Sequence, residues 1–360
     1  MPCFTLIVQK LYKPGRVGTI GLMKSKIVGF RWIWLLWLAA IPLLIWSLKS
    51  TPLKEIYRLL GNLHLAQILI LAGVNLLILL AISLRWQIIL HAMGEKIPLN
   101  RILSYRLTSF GVSYFTPGPQ FGGEPAQVAL LTRNHAVQTV NAVSSVYLDK
   151  MLEVLVNLLV IVGGIFFALS TDLGKSVFNR NDWIPVLGLG LIPVAHLIAL
   201  RTKHYPLRWL VEQSGALQSK RPWVRKLGNL AAEAENQIAA FLERNPRSLL
   251  LAILISFLSW AGMIFEYFLA VRFLGLPLSD AQIMFAFVLS RLAFLAPLPG
   301  GLGILEASQV FAMQAMGLPA TSGLALSLWM RARDVLIGLS GLALGGWVLA
   351  RPLATLQKEI

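Results

Sequence analysis

Long apolar segments recur along the whole chain of 360 residues. A helix of roughly 20 apolar residues crosses the hydrocarbon of a bilayer, and six runs of this kind lie at 32–48, 66–84, 140–169, 183–200, 248–271 and 321–349. Hydrophobic residues make up 56% of the chain and charged residues 13%, which excludes an ordinary soluble domain. The runs are continuous, whereas the strands of a membrane barrel alternate apolar with polar residues. The sequence therefore predicts an all-α polytopic membrane protein.

The excess of basic residues predicts how the chain is oriented. Thirty-two Lys and Arg stand against sixteen Asp and Glu, and in a membrane protein such an excess marks the cytoplasmic loops, so no nucleic-acid partner is expected. Residues 1–31 carry six Lys/Arg and no acid, and the loop 201–247 carries nine against four Glu. We expect these two segments, a loop at 85–106 with four basic residues, and the tail 351–360 to be cytoplasmic, around a membrane domain at 32–350 of the cell inner membrane.

Segment 107–132 is too short to cross the bilayer twice, and the half-segments of 281–317 are shorter than a full crossing requires. Each segment has apolar arms around a turn rich in proline and glycine, residues that break helices. We predict two re-entrant hairpins, one from each side, in addition to about six full crossings; eight simple spans are the alternative.

The two turns resemble each other. Pro117 and Pro297 lie 180 residues apart, and each turn is followed by glycines and then by a glutamate, Glu124 or Glu306. Opposite entry sides would make the hairpins an inverted repeat, the architecture in which paired broken segments form a binding site at the membrane midplane. A coincidence of two Pro/Gly-rich loops is the alternative.

Ionisable residues inside apolar segments are costly and therefore mark candidate functional sites. Asp149 and Glu153 are four residues apart and share a helix face. We expect them either to line a polar path or to neutralise Arg291 or Arg331 and hold the bundle together. Further charges of this kind are Lys150, Glu266, Arg333 and Asp334.

The broken turns also predict an anion site. A short helix that starts at Gly122-Gly123 or at Gly301–Gly303 would present unsatisfied N–H groups and a positive dipole end to a headgroup phosphate. Close helix crossing is the alternative reason for these glycines. The candidate substrate-binding residues are Pro117, Pro119, Gln120, Gly122, Gly123, Glu124, Asp149, Glu153, Arg291, Pro299, Gly300, Gly301, Gly303, Glu306 and Arg331.

Signatures of catalysis are scarce. The five histidines have no ligand-like spacing, Cys3 is the single cysteine, and no phosphate-binding loop or nucleophile motif occurs. The sequence predicts no catalytic residue, no metal site and no cofactor, and leaves open whether the protein is an enzyme.

The loop 201–247 contains an amphipathic helix that begins at Pro222. Apolar residues recur there at spacings of three and four, and Glu233 and Glu235 fall on the polar side. The helix is expected either to lie flat on the inner leaflet or to pack against the bundle.

Three motifs resemble the lysylphosphatidylglycerol synthase transmembrane region, a flippase-like family of bacterial and archaeal membrane proteins. They are the turn that ends in Gly123-Glu124, the acidic pair Asp149 and Glu153, and Pro299-Gly300-Gly301-Leu302-Gly303 followed by Glu306. The likeness covers roughly residues 25–350. Gln120 and Gln127 stand where the family often has arginine. Because the chain ends at Ile360, we expect no aminoacyl-transferase domain and no lipid synthesis.

The resemblance implies an integral membrane flippase-like transporter that binds and translocates a lipid or amphiphile with an anionic headgroup. Membrane lipids are then its partners, with a homo-oligomer or a partner membrane enzyme as further expectations. A membrane-embedded enzyme acting on a lipid-linked sugar or phosphate, or a regulatory membrane subunit, is the alternative.

Overall fold

A computed structural model describes residues 63–116, 122–177, 181–296 and 301–350, together with residues 61, 179 and 298. The predicted span at 32–48, the segment 1–31 and the tail 351–360 lie outside the described residues. The same holds for five candidate site residues: Pro117, Pro119, Gln120, Pro299 and Gly300.

Within this part of the chain all regular structure is helical, as the sequence predicted. The helices are α1 (Leu65–Ala92), α2 (Leu99–Phe115), α3 (Glu124–His135), α4 (Thr139–Leu169), α5 (Asp172–Val177), α6 (Trp183–Arg201), α7 (Pro206–Gln213), α8 (Pro222–Arg244), α9 (Pro246–Phe273), α10 (Asp280–Ala293), α11 (Ile304–Ala315) and α12 (Ala320–Ala350), with a 3₁₀ turn at Ala216–Gln218.

Local sequence explains several helix starts. Helices α7, α8 and α9 each begin with a proline. Proline suits the first turn because an N–H at that position would have no partner within the helix. Helix α10 begins with a capping box: Ser279 Oγ accepts the N–H of Gln282 at 3.4 Å, and Gln282 Oε1 accepts the N–H of Ser279 at 2.9 Å.

In the described part of the chain, four helices are long and apolar enough to cross a bilayer: α1, α4, α6 and α9. They contain four of the predicted spans. The predicted span at 321–349 is also a helix, the 31-residue α12, but Arg331, Arg333 and Asp334 interrupt its apolar character. Each predicted hairpin consists of two short helices that pack against each other, α2 with α3 and α10 with α11. The first begins earlier than predicted, at Leu99.

The sequence placed a loop at 85–106, and this prediction is wrong. Helix α1 continues to Ala92, so Arg85 lies within it and is 1% exposed, and Arg106 is buried within α2. A charge at the end of an apolar run resembles the start of a loop. A buried charge that finds a partner can stay inside the helix, because the partner compensates for the lost water.

Helix α8 lies across one end of the bundle, and the contacts there show in which direction each long helix runs. Asn245 Nδ2, at the start of α9, donates to the carbonyl of Ala92 at the end of α1, at 3.3 Å. Ser144 Oγ, near the start of α4, donates to the carbonyl of Ala234 in α8, also at 3.3 Å. Leu200, near the end of α6, packs in the same apolar cluster. Helices α1 and α6 therefore run toward α8, and α4 and α9 run away from it.

The chain repeats one order of helices. Helices α1 to α4 are 28, 17, 12 and 31 residues long, and α9 to α12 are 28, 14, 12 and 31 residues long. The first residues of α1 and α9, Leu65 and Pro246, are 181 positions apart, as are those of α4 and α12. We call α1 to α4 the first half and α9 to α12 the second half.

The two halves pack against each other along two pairs of helices. Helix α1 packs along α9, and α2 packs along α12. Glycines of α12 allow the second contact: a Cβ at Gly341 would collide with the backbone carbonyl of Leu107, and one at Gly345 would collide with Thr108. Small residues at this spacing let two helix backbones approach closely in a membrane.

We expect Gly341→Ala to lower the thermal unfolding temperature of the detergent-solubilised protein, because the added methyl group overpacks a backbone contact, which costs about 1–3 kcal/mol. Gly346→Ala in the same helix is the matched control, since nothing lies within 4 Å of its added Cβ. Equal unfolding temperatures for the two variants would contradict close packing of α2 on α12.

Candidate functional site

The first half contains a buried ion cluster centred on Asp149. Arg85 Nε donates to Asp149 Oδ1 at 2.7 Å, and Arg106 Nη2 donates to Asp149 Oδ2 at 2.6 Å. Arg106 also lies over the ring of Trp86, 5.1 Å from its centroid. One carboxylate from α4 thus joins α1 and α2, and it is 2% exposed.

These partners correct the expectation that Asp149 and Glu153 neutralise Arg291 or Arg331. The two arginines that bind Asp149 lie 64 and 43 positions away in sequence, in a region assigned to a loop. A spacing of that size gives no local sequence signal. The signal that was available is the apolar helical period continuing past Arg85 through Trp86, Ile89 and Leu90.

Glu153 differs from Asp149 although both lie on one face of α4. Lys150 Nζ donates to Glu153 Oε1 at 2.8 Å, and Arg85 Nη2 lies 3.5 Å from Glu153 Oε2. The Glu153 side chain is 32% exposed, against 3% for that of Asp149. Asp149 is therefore sealed inside the bundle, whereas Glu153 can be reached from outside it.

The second half contains an ion cluster with the charges exchanged. Arg333 Nη1 donates to Glu266 Oε2 at 2.6 Å, and Arg333 Nη2 lies 2.8 Å from Asp334 Oδ1. Here one cation forms ion pairs with two carboxylates. Glu266 is the residue of α9 that corresponds to Arg85 of α1, 181 positions earlier, so equivalent positions carry opposite charges.

A third arrangement occurs once in each half, at the start of the second short helix. Glu124 Oε2 accepts the N–H of Gly122 at 2.7 Å, and Lys150 Nζ lies 3.5 Å from Glu124 Oε1. We call this contact of Glu124 with Lys150 the first clamp.

The second clamp is the contact of Glu306 with Arg331. Glu306 Oε2 accepts the N–H of Gly303 at 2.9 Å and a hydrogen bond from Arg331 Nη2 at 2.8 Å, and Arg331 Nε pairs with Glu306 Oε1. Arg331 Nη2 also donates to the carbonyl of Gly301 at 3.1 Å. Lys150 and Arg331 are equivalent residues, each the twelfth of its 31-residue helix.

For one N–H in each turn, the clamps correct the expectation that the N–H groups there are unsatisfied. In each hairpin the glutamate of the chain itself accepts a backbone N–H beside the turn and supplies the negative charge that a helix N-terminus attracts. Gly122 and Gly301 have φ of +136° and +63°. Valine at either position would strain the turn whether or not a ligand binds there. Substitutions of the glutamates are therefore more informative tests of a binding site.

Arg291 lies in α10, in the first arm of the second hairpin. No carboxylate lies within ion-pair distance of its guanidinium among the described residues, and its buried Nε makes no hydrogen bond there. Three aromatic rings surround it instead, with centroids 4.9 to 5.6 Å from Cζ: Phe287, Phe294 and Trp260. Cation–π contacts of this kind hold a guanidinium in place without neutralising it.

An apolar cavity of about 390 Å³ lies between the two arms of the second hairpin. It opens to the outside of the bundle, and its lining is almost entirely aliphatic and aromatic: Leu289, Leu292, Ala293, Ile304, Ala307, Ser308 and Phe311. Helix α11 therefore has the second clamp at its start and this cavity along its side.

Comparison with known proteins identifies the chain as an integral membrane protein of a defined class. The lysylphosphatidylglycerol synthase TM region family matches residues 26–341, and the chain belongs to that family. The resemblance that three motifs suggested is thereby confirmed. One relative is a UPF0104 membrane protein of Methanothermobacter thermautotrophicus, 24% identical over 283 residues that are 73% of this chain and 81% of the relative. No solved structure matches.

The different burial of the two α4 carboxylates can be measured. We expect Asp149→Asn to lower the thermal unfolding temperature in detergent strongly, because breaking a buried ion pair costs on the order of 3–5 kcal/mol. Glu153→Gln, whose side chain is about a third exposed, should cost no more than about 1 kcal/mol. If the two variants lowered the unfolding temperature by similar amounts, Asp149 would not be the residue on which the stability of the first ion cluster depends.

Proposed function

We propose that the protein is a flippase-like transporter of the cell inner membrane that moves a lipid or amphiphile with an anionic headgroup. In this proposal the chain crosses the membrane six times, with both termini cytoplasmic, and the hairpins α2–α3 and α10–α11 are re-entrant and enter from opposite sides. The two halves form an inverted repeat, with the substrate path between the hairpins.

The observation that carries the proposal is the occurrence of one clamp in each half. In both, a glutamate beside a broken turn accepts a backbone N–H of that turn and contacts a basic residue twelve positions into the following long helix. Both contacts lie where the helical pattern breaks between two short helices, and a purely structural ion pair would not require such a break. This position supports a role for the breaks themselves.

The directions of the helices support inversion of the repeat. Helix α1 runs toward α8 and its counterpart α9 runs away from it, since Asn245 bonds to Ala92. Equivalent residues of the two halves therefore lie at opposite depths, and the turns of the two hairpins can both approach the midplane from opposite sides.

The chemistry of the clamps favours an anionic headgroup. Each glutamate occupies a position where one backbone N–H and a cation converge on negative charge, and a phosphate is also negatively charged. When a phosphate replaces the carboxylate, Lys150 or Arg331 becomes its partner. Arg291 adds a cation that has no carboxylate partner among the described residues, and the apolar cavity beside α11 suits a segment of acyl chain.

The clamps differ in the described state, which suggests how access alternates. The Glu124 and Lys150 side chains are 23% and 20% exposed and their charged atoms are 3.5 Å apart. Glu306 and Arg331 are 2% and 11% exposed and make several hydrogen bonds. The first clamp is loose and the second closed. Transport would exchange these states.

Transport can be tested in liposomes that contain the purified protein and fluorescent phosphatidylglycerol, with chemical quenching of the outer leaflet as the readout. We expect Glu124→Gln and Glu306→Gln each to slow translocation by about tenfold or more, since the loss of a charge-assisted contact of about 1.5–3 kcal/mol removes a clamp. Glu233→Gln, an exposed residue of α8, is the control. Full activity of both clamp variants would contradict the proposed path.

The proposed orientation has a separate test by cysteine labelling in intact cells, on a Cys3→Ser background. Cysteines at Gln138 and Lys220 should react only with reagent on the cytoplasmic side, and one at Pro277 only from outside, because these exposed positions lie in turns. Labelling at position 138 from outside would mean that the α2–α3 segment crosses the membrane fully.

A further inference from the structure

The chain between α6 and α9 folds into a module of α7, the 3₁₀ turn and α8. Glu235, which the sequence placed on the polar face of α8, is fully buried. Its carboxylate accepts the N–H groups of Leu207 and Arg208 at 2.8 and 2.7 Å, and so caps the first turn of α7. Gly228 of α8 lies against Val211, which brings the two helices into close contact. Helix α7 is therefore held in a fixed position on α8.

Only one half of α8 is used by the bundle. Its C-terminal half packs into the bundle end through Ile238, Phe241 and Leu242, as one of the two sequence alternatives expected. Its N-terminal half leaves Trp223 and Leu227 exposed, at 44% and 56%.

Helix α7 adds a second exposed apolar pair to the module. Trp209 and Leu210 are 59% and 52% exposed. Neither the bundle nor any other described element covers the four side chains of the two helices.

Exposed cations accompany these apolar residues. Around the start of α8 they are Lys220, Arg221 and Lys226, and Arg208 lies on α7. The exposed acid on α7, Glu212, is already paired with Arg208 at 2.9 Å. The surface therefore combines tryptophan and leucine with positive charge. Interfacial segments that bind anionic bilayers have this composition.

We propose that α7 and the N-terminal half of α8 form a docking surface for the anionic lipid headgroups of the adjacent leaflet. Trp209, Leu210, Trp223 and Leu227 enter the interface, and the basic residues at the start of α8 contact the headgroups. The module is continuous with the bilayer because membrane helices α6 and α9 flank it. A second copy of this chain is a poorer occupant, since it would present the same cluster of positive charge.

This surface is separate from the transport path, so its test does not depend on transport. The full chain carrying Cys3→Ser and Leu227→Cys is labelled with an environment-sensitive fluorophore. It is placed, one copy per disc, in nanodiscs whose lipids carry a nitroxide quencher near the headgroup. Discs of pure phosphatidylcholine are compared with discs that contain about 30% phosphatidylglycerol, enough to give a negative surface potential.

We expect quenching at position 227 to be at least about twofold stronger in the anionic discs, because basic residues draw the helix to a negative surface. The variant Lys220→Gln, Arg221→Gln, Lys226→Gln should lose this difference while keeping its thermal unfolding temperature, since all three residues are exposed. A label at Asn229, exposed on the opposite face of α8, is the matched control and should stay unquenched in both discs.

Three results would overturn the proposal. Equal quenching in neutral and anionic discs would exclude recognition of anionic headgroups. Absence of quenching in both would mean that the surface faces water. The same label can also be measured in discs that hold two copies. If it is shielded from water only in these discs, the surface would be assigned to a second copy of the chain.

Discussion

Burial of charge among apolar helices is the constraint on which this architecture depends. An ion taken out of water must be paired, or it destabilises the fold by several kcal/mol. Asp149 meets this requirement for Arg85 and Arg106 and thereby fixes α1, α2 and α4 against one another. Arg333 does the same for Glu266 of α9 within the second half. The ion clusters specify which helices are neighbours, while apolar contacts with lipid and with other helices are less selective.

The elements that the sequence predicted well are those with local signals. The length of the apolar runs predicted α4, α6, α9 and α12, and the proline and glycine turns predicted that each hairpin divides into two short helices. Apolar residues at spacings of three and four predicted α8 from Pro222. These features depend on residues that are neighbours in sequence, so periodicity and helix breakers are enough to find them.

The features that the sequence did not predict depend on contacts between distant segments. Arg85 was assigned to a loop because its partner Asp149 is 64 positions away. Glu235 was assigned to a solvent-facing surface because nothing in its own helix shows that the first turn of α7 needs an acceptor. The glutamates of the clamps were identified as candidates, but their contacts with their own turns depend on the fold of each turn, which no sequence pattern shows.

In the proposed transporter, the glutamates at both broken turns would also affect how a headgroup binds and leaves. A phosphate entering such a site would compete with a tethered carboxylate that never diffuses away, so part of its binding free energy would be spent on displacement. Affinity would thereby be kept moderate, which suits a transporter because it must release what it binds.

The opposite charges at Arg85 and Glu266 have an evolutionary consequence. Two identical halves assembled as an antiparallel dimer would carry the same residue at both positions, and therefore two arginines or two glutamates. The exchange of sign requires each half to be encoded separately, as in a duplicated and fused gene whose copies then diverged. Each ion cluster is closed within its own half, so the sign could change in one half without leaving a charge unpaired in the other.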